Sequence, residues 1–391
     1  LVKQLPSTIF HLPSSIFMHI GIDARLPYYQ KGGISQYTLH LLPALARADS
    51  ANSYSIYHMG KDDDSYLPQN APNFSRKNLF TPCHHKLERW ALAAEVLYHG
   101  RPDILHSPDF IPPKFGAKRY VITVHDLNFF HFPEFLTADS LRYYKGQIQA
   151  AVEQADHISA DSHHTRKDVI ELLNVPPEKI TTVHLSVNPL YQKTYAAEEV
   201  QNTLAKTNLP TGFILAVGTL EPRKNYGLLV DAYTILKNAY GVDVPLVIVG
   251  RKGWLYDELM AQIQNSGLTD HIIHLEGIFD EKLAHLYHAA GVLVTPSHYE
   301  GFGLPGLEAL NCGCPIILSD RGSLPEIAGD AGKQLPPDDP AAWAEAIAQV
   351  LQDSAVREEM ISAGYAHAAA FSWETAAQQT LKIYSDVMEG P

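Results

Sequence analysis

Residues 214–233 read ILAVGTLEPRKNYGLLVDAY: an apolar strand, a loop, then Arg223 and Lys224 immediately before a helix. A short apolar run bounded by glycine suits a strand buried on both faces, and a helix following a loop makes a βα unit. The unit repeats in both directions along the chain. Before it, strand signals fall at HIGIDA (19–24), SYSIYHM (53–59), DILHS (103–107), RYVITVHD (119–126), HISADS (157–162) and KITTVHL (179–185). With and after it come GFILAVG (212–218), VPLVIVG (244–250), HIIHLEG (271–277), GVLVTPS (291–297) and CPIILSD (314–320). Strands alternating with helical patterns predict α/β architecture, here two doubly wound parallel-sheet domains.

Length agrees with two domains, because 391 residues exceed what one core sustains. Hydrophobic residues make up 46% and charged residues 19%, enough apolar material for two cores. The reading places the first domain at 18–195 and the second at 205–370. A Ser-capped helix at 371–389 follows, and 1–17 is an extension of unknown role. Residues 189–211 lack a strand signal and read as the connection.

The formal net charge of −13 argues against a protein that works by neutralising nucleic-acid phosphates. Residues 1–200 carry 19 basic against 20 acidic side chains, and the remainder 11 against 23, so only the first half suits an anionic surface. Three cysteines do not make a paired framework and fit a reducing compartment, hence a cytoplasmic setting. No apolar run approaches the ~18 residues that span a bilayer.

Ligands of parallel sheets sit beyond the carboxyl ends of strands, where helix N-termini aim their N–H groups outward. Four loops there carry chemistry. Gly32 and Gly33 open a helix, allowing close backbone approach by a phosphate or sugar, though paired glycines before a helix are ordinary punctuation too. His125 and Asp126 end an apolar strand, from which His125 would project into a cleft and donate to a sugar hydroxyl, unless it is a satisfied structural histidine. Arg223 and Lys224 offer a bidentate fork and a point charge, together matched to a departing diphosphate. In SHYEGFGLPGLEAL (297–310), Glu300 precedes a helix that Pro305 begins and Glu308 lies within it. On one continuous helix they would be roughly 12 Å apart; a folded-back loop would bring both to one ligand. Paired carboxylates suit ribose and sugar diols, or a glycosidase's acid and base.

Asp62 to Asp64 have the D-x-D spacing of metal-dependent sugar transferases but sit in a polar loop that reads as a solvated turn. Cys312 and Cys314 read as small buried hydrophobes, and His84-His85 and His163-His164 lack partners at metal spacing, so no metal is expected.

With these elements in this order, the chain resembles the retaining glycosyltransferases of family 4 over about residues 18–388, most specifically in LEPRKN and the E-x7-E stretch EGFGLPGLE. The resemblance implies the GT-B fold: two facing Rossmann-like domains, a cleft between them, and a C-terminal helix returning to the first. It places Gly33 against the donor phosphates, His125 at the transferred sugar, and Arg223 and Lys224 on the diphosphate. Glu300 would hold sugar hydroxyls, assisted by backbone at Phe302, Gly303 and Leu304; Glu308 would hold the ribose and the backbone at Gly277 and Ile278 the base. It further implies metal-independent, front-face transfer with retention and no cofactor, which accords with the lack of a convincing nucleophile; neither Asp126 nor Asp161 is assigned that role. Within the family the motifs look most like bacterial mannosyl- or rhamnosyl-type transferases that build polysaccharide. GDP-mannose is then the first choice of donor, a UDP-sugar the next, and a GT-B sugar-nucleotide epimerase or a non-catalytic binder the competing readings. A glycan or lipid-linked glycan is the implied acceptor, which the near-neutral first domain would permit at the inner membrane face.

Overall fold

A computed structural model describes residues 17–29, 32–253 and 256–390; the 1–16 part of the predicted extension and Gln30 and Lys31 of the Gly-Gly loop lie outside them. The first sheet contains β1 (His19–Asp23), β2 (Ser53–Met59), β3 (Phe74–Leu79), β4 (Ile104–Ser107), β5 (Arg119–Val124), β6 (His157–Ala160) and β7 (Ile180–Thr182). The second contains β8 (Ile214–Val217), β9 (Leu246–Val249), β10 (Ile272–Leu275), β11 (Val292–Thr295), β12 (Ile316–Ser319) and β13 (Lys333–Leu335). Strand orders are β3-β2-β1-β4-β5-β6-β7 and β10-β9-β8-β11-β12-β13, and every pairing is parallel.

All eleven expected strands form, and two more join them. β3 (FSRKNL) and β13 (KQL) lie at sheet edges, where a polar face is free to stay in water, so neither carries the apolar run by which a central strand is recognised. Central strands β9 (LVIV) and β11 (VLVT) are buried at all four residues.

Both sheets reverse strand order beside their first strand, between β1 and β4 and between β8 and β11. These are the switch points at which α/β sheets open a crevice. Glycine marks where backbones close in: a Cβ on Gly250 would lie 1.9 Å from the Gly218 carbonyl oxygen, just beyond the ends of β9 and β8.

The segment joining the sheets is structured. Helix Ala197–Thr207 lies against helix Asp280–Ala289, where Thr203 Oγ1 and His285 Nδ1 are 2.7 Å apart. The final helix, Trp373–Glu389, is capped by Ser372, whose hydroxyl accepts from the Thr375 N–H. It crosses back to the first domain: Trp373 donates to the Val187 carbonyl at 2.9 Å, and Tyr384 meets His106 Nδ1 at 2.7 Å.

Candidate active site

The loop after β8 tightens into the turn Pro222–Lys224, and Asn225 takes a left-handed conformation (φ 56°) before helix Tyr226–Tyr240 begins. Its side chain ties the turn to the Pro337 carbonyl at 2.7 Å. The loop after β11 runs through Glu300 to Gly303, which has φ 96° at the start of helix Leu304–Asn311; that angle favours glycine. Neighbouring strands of one switch point therefore deliver the basic turn and the acidic loop to the same spot.

Lys224 Nζ stands 2.6 Å from Glu300 Oε1, Arg223 Nη1 3.0 Å from Oε2, and Ser297 Oγ donates to Oε1 at 2.7 Å. Burial would raise the Glu300 pKa, but Lys224 and Arg223 overwhelm it and bring it down to about 2. Arg223 also holds Glu221 at 3.0 Å. A carboxylate has about four acceptor directions, and three on Glu300 are taken. One remains on Oε2, so Glu300 has room for a single hydroxyl in this arrangement.

Arg223, Glu221 and His125 line one cavity of about 590 Å³. Its far wall is aromatic, including Phe110, Phe129, Phe132 and Tyr144, a surface suited to the apolar faces of sugar rings. His125 reaches the cavity but departs from the sequence expectation. Its Nδ1 donates to Asp161 at 2.5 Å and its Nε2 to the Pro108 carbonyl at 2.7 Å. Both ring nitrogens are donors to protein, so neither is free for a sugar hydroxyl. Burial disfavours the cation, yet Asp161 and the Pro108 carbonyl raise the pKa to about 9. The sequence gives no signal for Asp161 as the partner, since it is 36 residues away on another strand end.

Glu308 has different protein partners from Glu300. Glu308 accepts from Tyr287 at 2.8 Å and lines a separate, smaller cavity of about 150 Å³ with Tyr37, Ser186, Asn188 and Leu304. Burial pushes its pKa up to about 7 although the Tyr287 bond pulls downward. Asn188, Phe279 and Asp280 continue from that cavity to an open groove beside Gly277. Ile278 is half-buried against the core, and the Phe302 ring is buried between His184 and Phe371. Gly33 is the first residue of helix Gly33–Ala48, with open space where a Cβ would stand.

The two domains touch across the site. A Cβ on Gly301 would fall 2.2 Å from the His125 carbonyl oxygen, so the E-G-F-G loop passes directly against the first domain. Ser162 and Thr165 donate to the Gly301 carbonyl at 2.7 and 3.1 Å. Glu326 reaches over to accept the backbone N–H groups of His163 and His164, both at 2.9 Å, and lies 3.1 Å from His184 Nε2. His163, His184 and Glu326 have a metal-like spacing, but the carboxylate is occupied by the start of helix His163–Leu173. The Asp62 carboxylate is likewise engaged, by Tyr66 and the Asp64 N–H. The turn expected to be solvated is exposed at Asp63 and Asp64 but buried at Asp62, and Cys312 and Cys314 are both buried.

The two facing parallel-sheet domains have the GT-B fold, and their sequence matches place them among the glycosyltransferases. Residues 31–189 match the family described as Glycosyltransferase Family 4, and residues 201–367 the one described as Glycosyl transferases group 1. O-antigen chain mannosyltransferase B of Escherichia coli is 34% identical over 91% of this chain and 96% of its own. O-antigen chain mannosyltransferase RfbU of Salmonella typhimurium is 26% identical over 82% and 87%. The chain belongs to the family 4, group 1 glycosyltransferases. Anabaena HepE with UDP and glucose superimposes with a TM-score of 0.72 at 18% identity, over 94% of this chain and 100% of that one. Sucrose-phosphate synthase from Thermosynechococcus elongatus gives 0.72 at 23%, over 94% and 98%. At those identities the shared property is the fold.

Proposed function

We propose that this glycosyltransferase moves mannose from GDP-mannose to a glycan or lipid-linked glycan, retaining the anomeric configuration and using no metal. The observation that carries the reading is the cluster of buried Lys224 and Glu300 with half-buried Arg223 at the second switch point. Two fixed cations placed where a diphosphate would leave supply the neutralising charge that a metal gives other transferases. Their positions are held by Glu300 before any ligand arrives, so little reorganisation accompanies bond breaking. As the bond to the diphosphate lengthens, its oxygen is the base available to take the acceptor's proton on the same face. The aromatic cavity shared by Arg223 and His125 would seat the acceptor, with the imidazolium of His125 adding positive potential.

Mannose is favoured because the E. coli and Salmonella relatives are described as mannosyltransferases. A UDP-sugar is the second reading, since HepE binds UDP and glucose on the same fold. Calorimetric ranking of GDP, UDP, ADP and dTDP separates the two, as the preferred base raises the melting temperature most at equal concentration. NMR of the product formed from GDP-mannose then reads the linkage. Inverted configuration refutes the mechanism, and acceptor-independent conversion of the nucleotide sugar would make the protein an epimerase.

A further inference from the structure

Helix Glu88–Tyr98 buries Leu92, Ala93 and Val96 against the first sheet. A helix on a soluble surface ordinarily turns charge outward on its other side. This one turns out Trp90, Ala91, Ala94, Leu97 and Tyr98, with Trp90 58% and Tyr98 86% exposed. Leu87 and Phe80 extend the stripe along the preceding loop, and exposed Phe115 meets Trp90 edge-on with ring centres 6.0 Å apart. A contiguous apolar patch of this kind marks a surface that something covers.

Its charge says what. Both carboxylates of the helix are withdrawn: Glu88 is buried on Arg25 at 2.8 Å, and Glu95 accepts from the N–H groups of Phe80 and Thr81. Cations remain at the rim. Lys86 precedes Leu87, Arg101 follows Tyr98, and Lys114 is held beside the helix by its N–H donating to the Arg89 carbonyl at 2.8 Å. Lys86, Arg101 and Lys114 are exposed and in no ion pair among the described residues. In a chain of net charge −13, one face therefore presents apolar side chains rimmed by unpaired cations.

We propose that this face docks on the surface of an anionic lipid bilayer, with the helix in the headgroup plane and Trp90, Leu97 and Tyr98 inserted. Trp and Tyr suit that depth because one end of each ring system stays wet, and the cations meet lipid phosphates. No helix among the described residues is long and apolar enough to cross a membrane, so the attachment is interfacial. Cys83 and His84, on the loop between Phe80 and Leu87, also line the cavity that contains Arg223. A lipid-linked acceptor lying in the bilayer would thus enter the cleft from the docked side; this last step rests on the function proposed above, whereas the docking does not.

Sedimentation of the full chain with phosphatidylcholine vesicles, with and without phosphatidylglycerol, tests it without any nucleotide sugar. The expected result is binding to the anionic vesicles at least about tenfold stronger than to the neutral ones and weakened by salt. A Trp90→Glu/Leu97→Glu double variant should lose that binding about tenfold or more. Its melting temperature and its hydrolysis of donor in solution should stay unchanged, both residues being exposed and outside the cavity that Arg223 lines. Lys86→Glu/Lys114→Glu should lose the anionic preference while keeping the fold. Equal vesicle binding by the wild type and both variants, or no binding at all, overturns the proposal. So does sedimentation velocity showing a dimer that Trp90→Glu dissolves, because the patch would then be covered by a second copy.

Discussion

Lys224 and Glu300 lie 76 residues apart in sequence and 2.6 Å apart in the fold, buried at the ends of adjacent strands. Each is what makes the burial of the other tolerable. A cation kept from water costs several kcal/mol unless a partner of opposite sign is held against it. The pair thereby stores two charges at the point where a sugar diphosphate would add two more.

Breaking the pair on one side should cost stability as well as activity. Lys224→Met leaves the Glu300 carboxylate with Arg223 as its one cation and Ser297 as its other donor, and a loss of about 3 kcal/mol is expected. The double change Lys224→Met/Glu300→Gln should recover most of that stability but none of the transfer. Urea unfolding of the two singles and the double, read as a cycle, gives the coupling; additive losses would show that the two side chains do not support one another.

Glu308 should trade stability for binding. Its folded pKa, about 7, lies above the ordinary glutamate value, so its contribution to stability is complete below that ordinary value and is lost as pH rises through 7. Glu308→Gln is therefore expected to raise the melting temperature at pH 8 and to change it little at pH 4. The same variant should weaken nucleotide binding about tenfold or more, since an amide accepts less strongly from a ribose diol. Calorimetry at the two pH values checks both.

His125 and Asp161 predict an alkaline limit. The imidazolium persists to about 9, and its stabilising contribution is present below the ordinary histidine value and lost as pH rises through 9. Activity that depends on this charge should fall above pH 9 in the wild type. Asp161→Asn removes the main source of the upward shift, so the falling limb should move to about 6.5 or lower. An unmoved limb in the Asp161→Asn pH profile would sever His125 from catalysis.

Glu326 should govern how firmly the domains close. Its carboxylate is held below the usual range by His184 and the His163 and His164 N–H groups, against burial acting upward. Its contribution is present above the ordinary glutamate value and lost as pH falls through the lower folded one. Glu326→Ala strips helix His163–Leu173 of the carboxylate at its N-terminus, worth about 1–2 kcal/mol. Small-angle scattering of Glu326→Ala should show a larger radius of gyration than wild type; an unchanged radius would mean that the other interdomain bonds suffice.

Much of this molecule is local in origin and was legible in its sequence. Apolar runs marked eleven of the thirteen described strands, and LEPRKN and EGFGLPGLE, lying just after strands, fall at the sheet ends. Periodicity and turn chemistry are short-range, so a linear reading recovers them. Tertiary structure alone decided what those residues meet. β3 and β13 are strands because a neighbouring edge accepts them, whatever their polar faces. His125 spends both nitrogens on protein because Asp161 and Pro108 arrive from other strand ends. Glu300 turns to the basic turn while Glu308 turns to Tyr287, a separation that their eight-residue spacing does not contain. Pairing between distant charges depends on where the chain returns to itself, and no local pattern encodes that return.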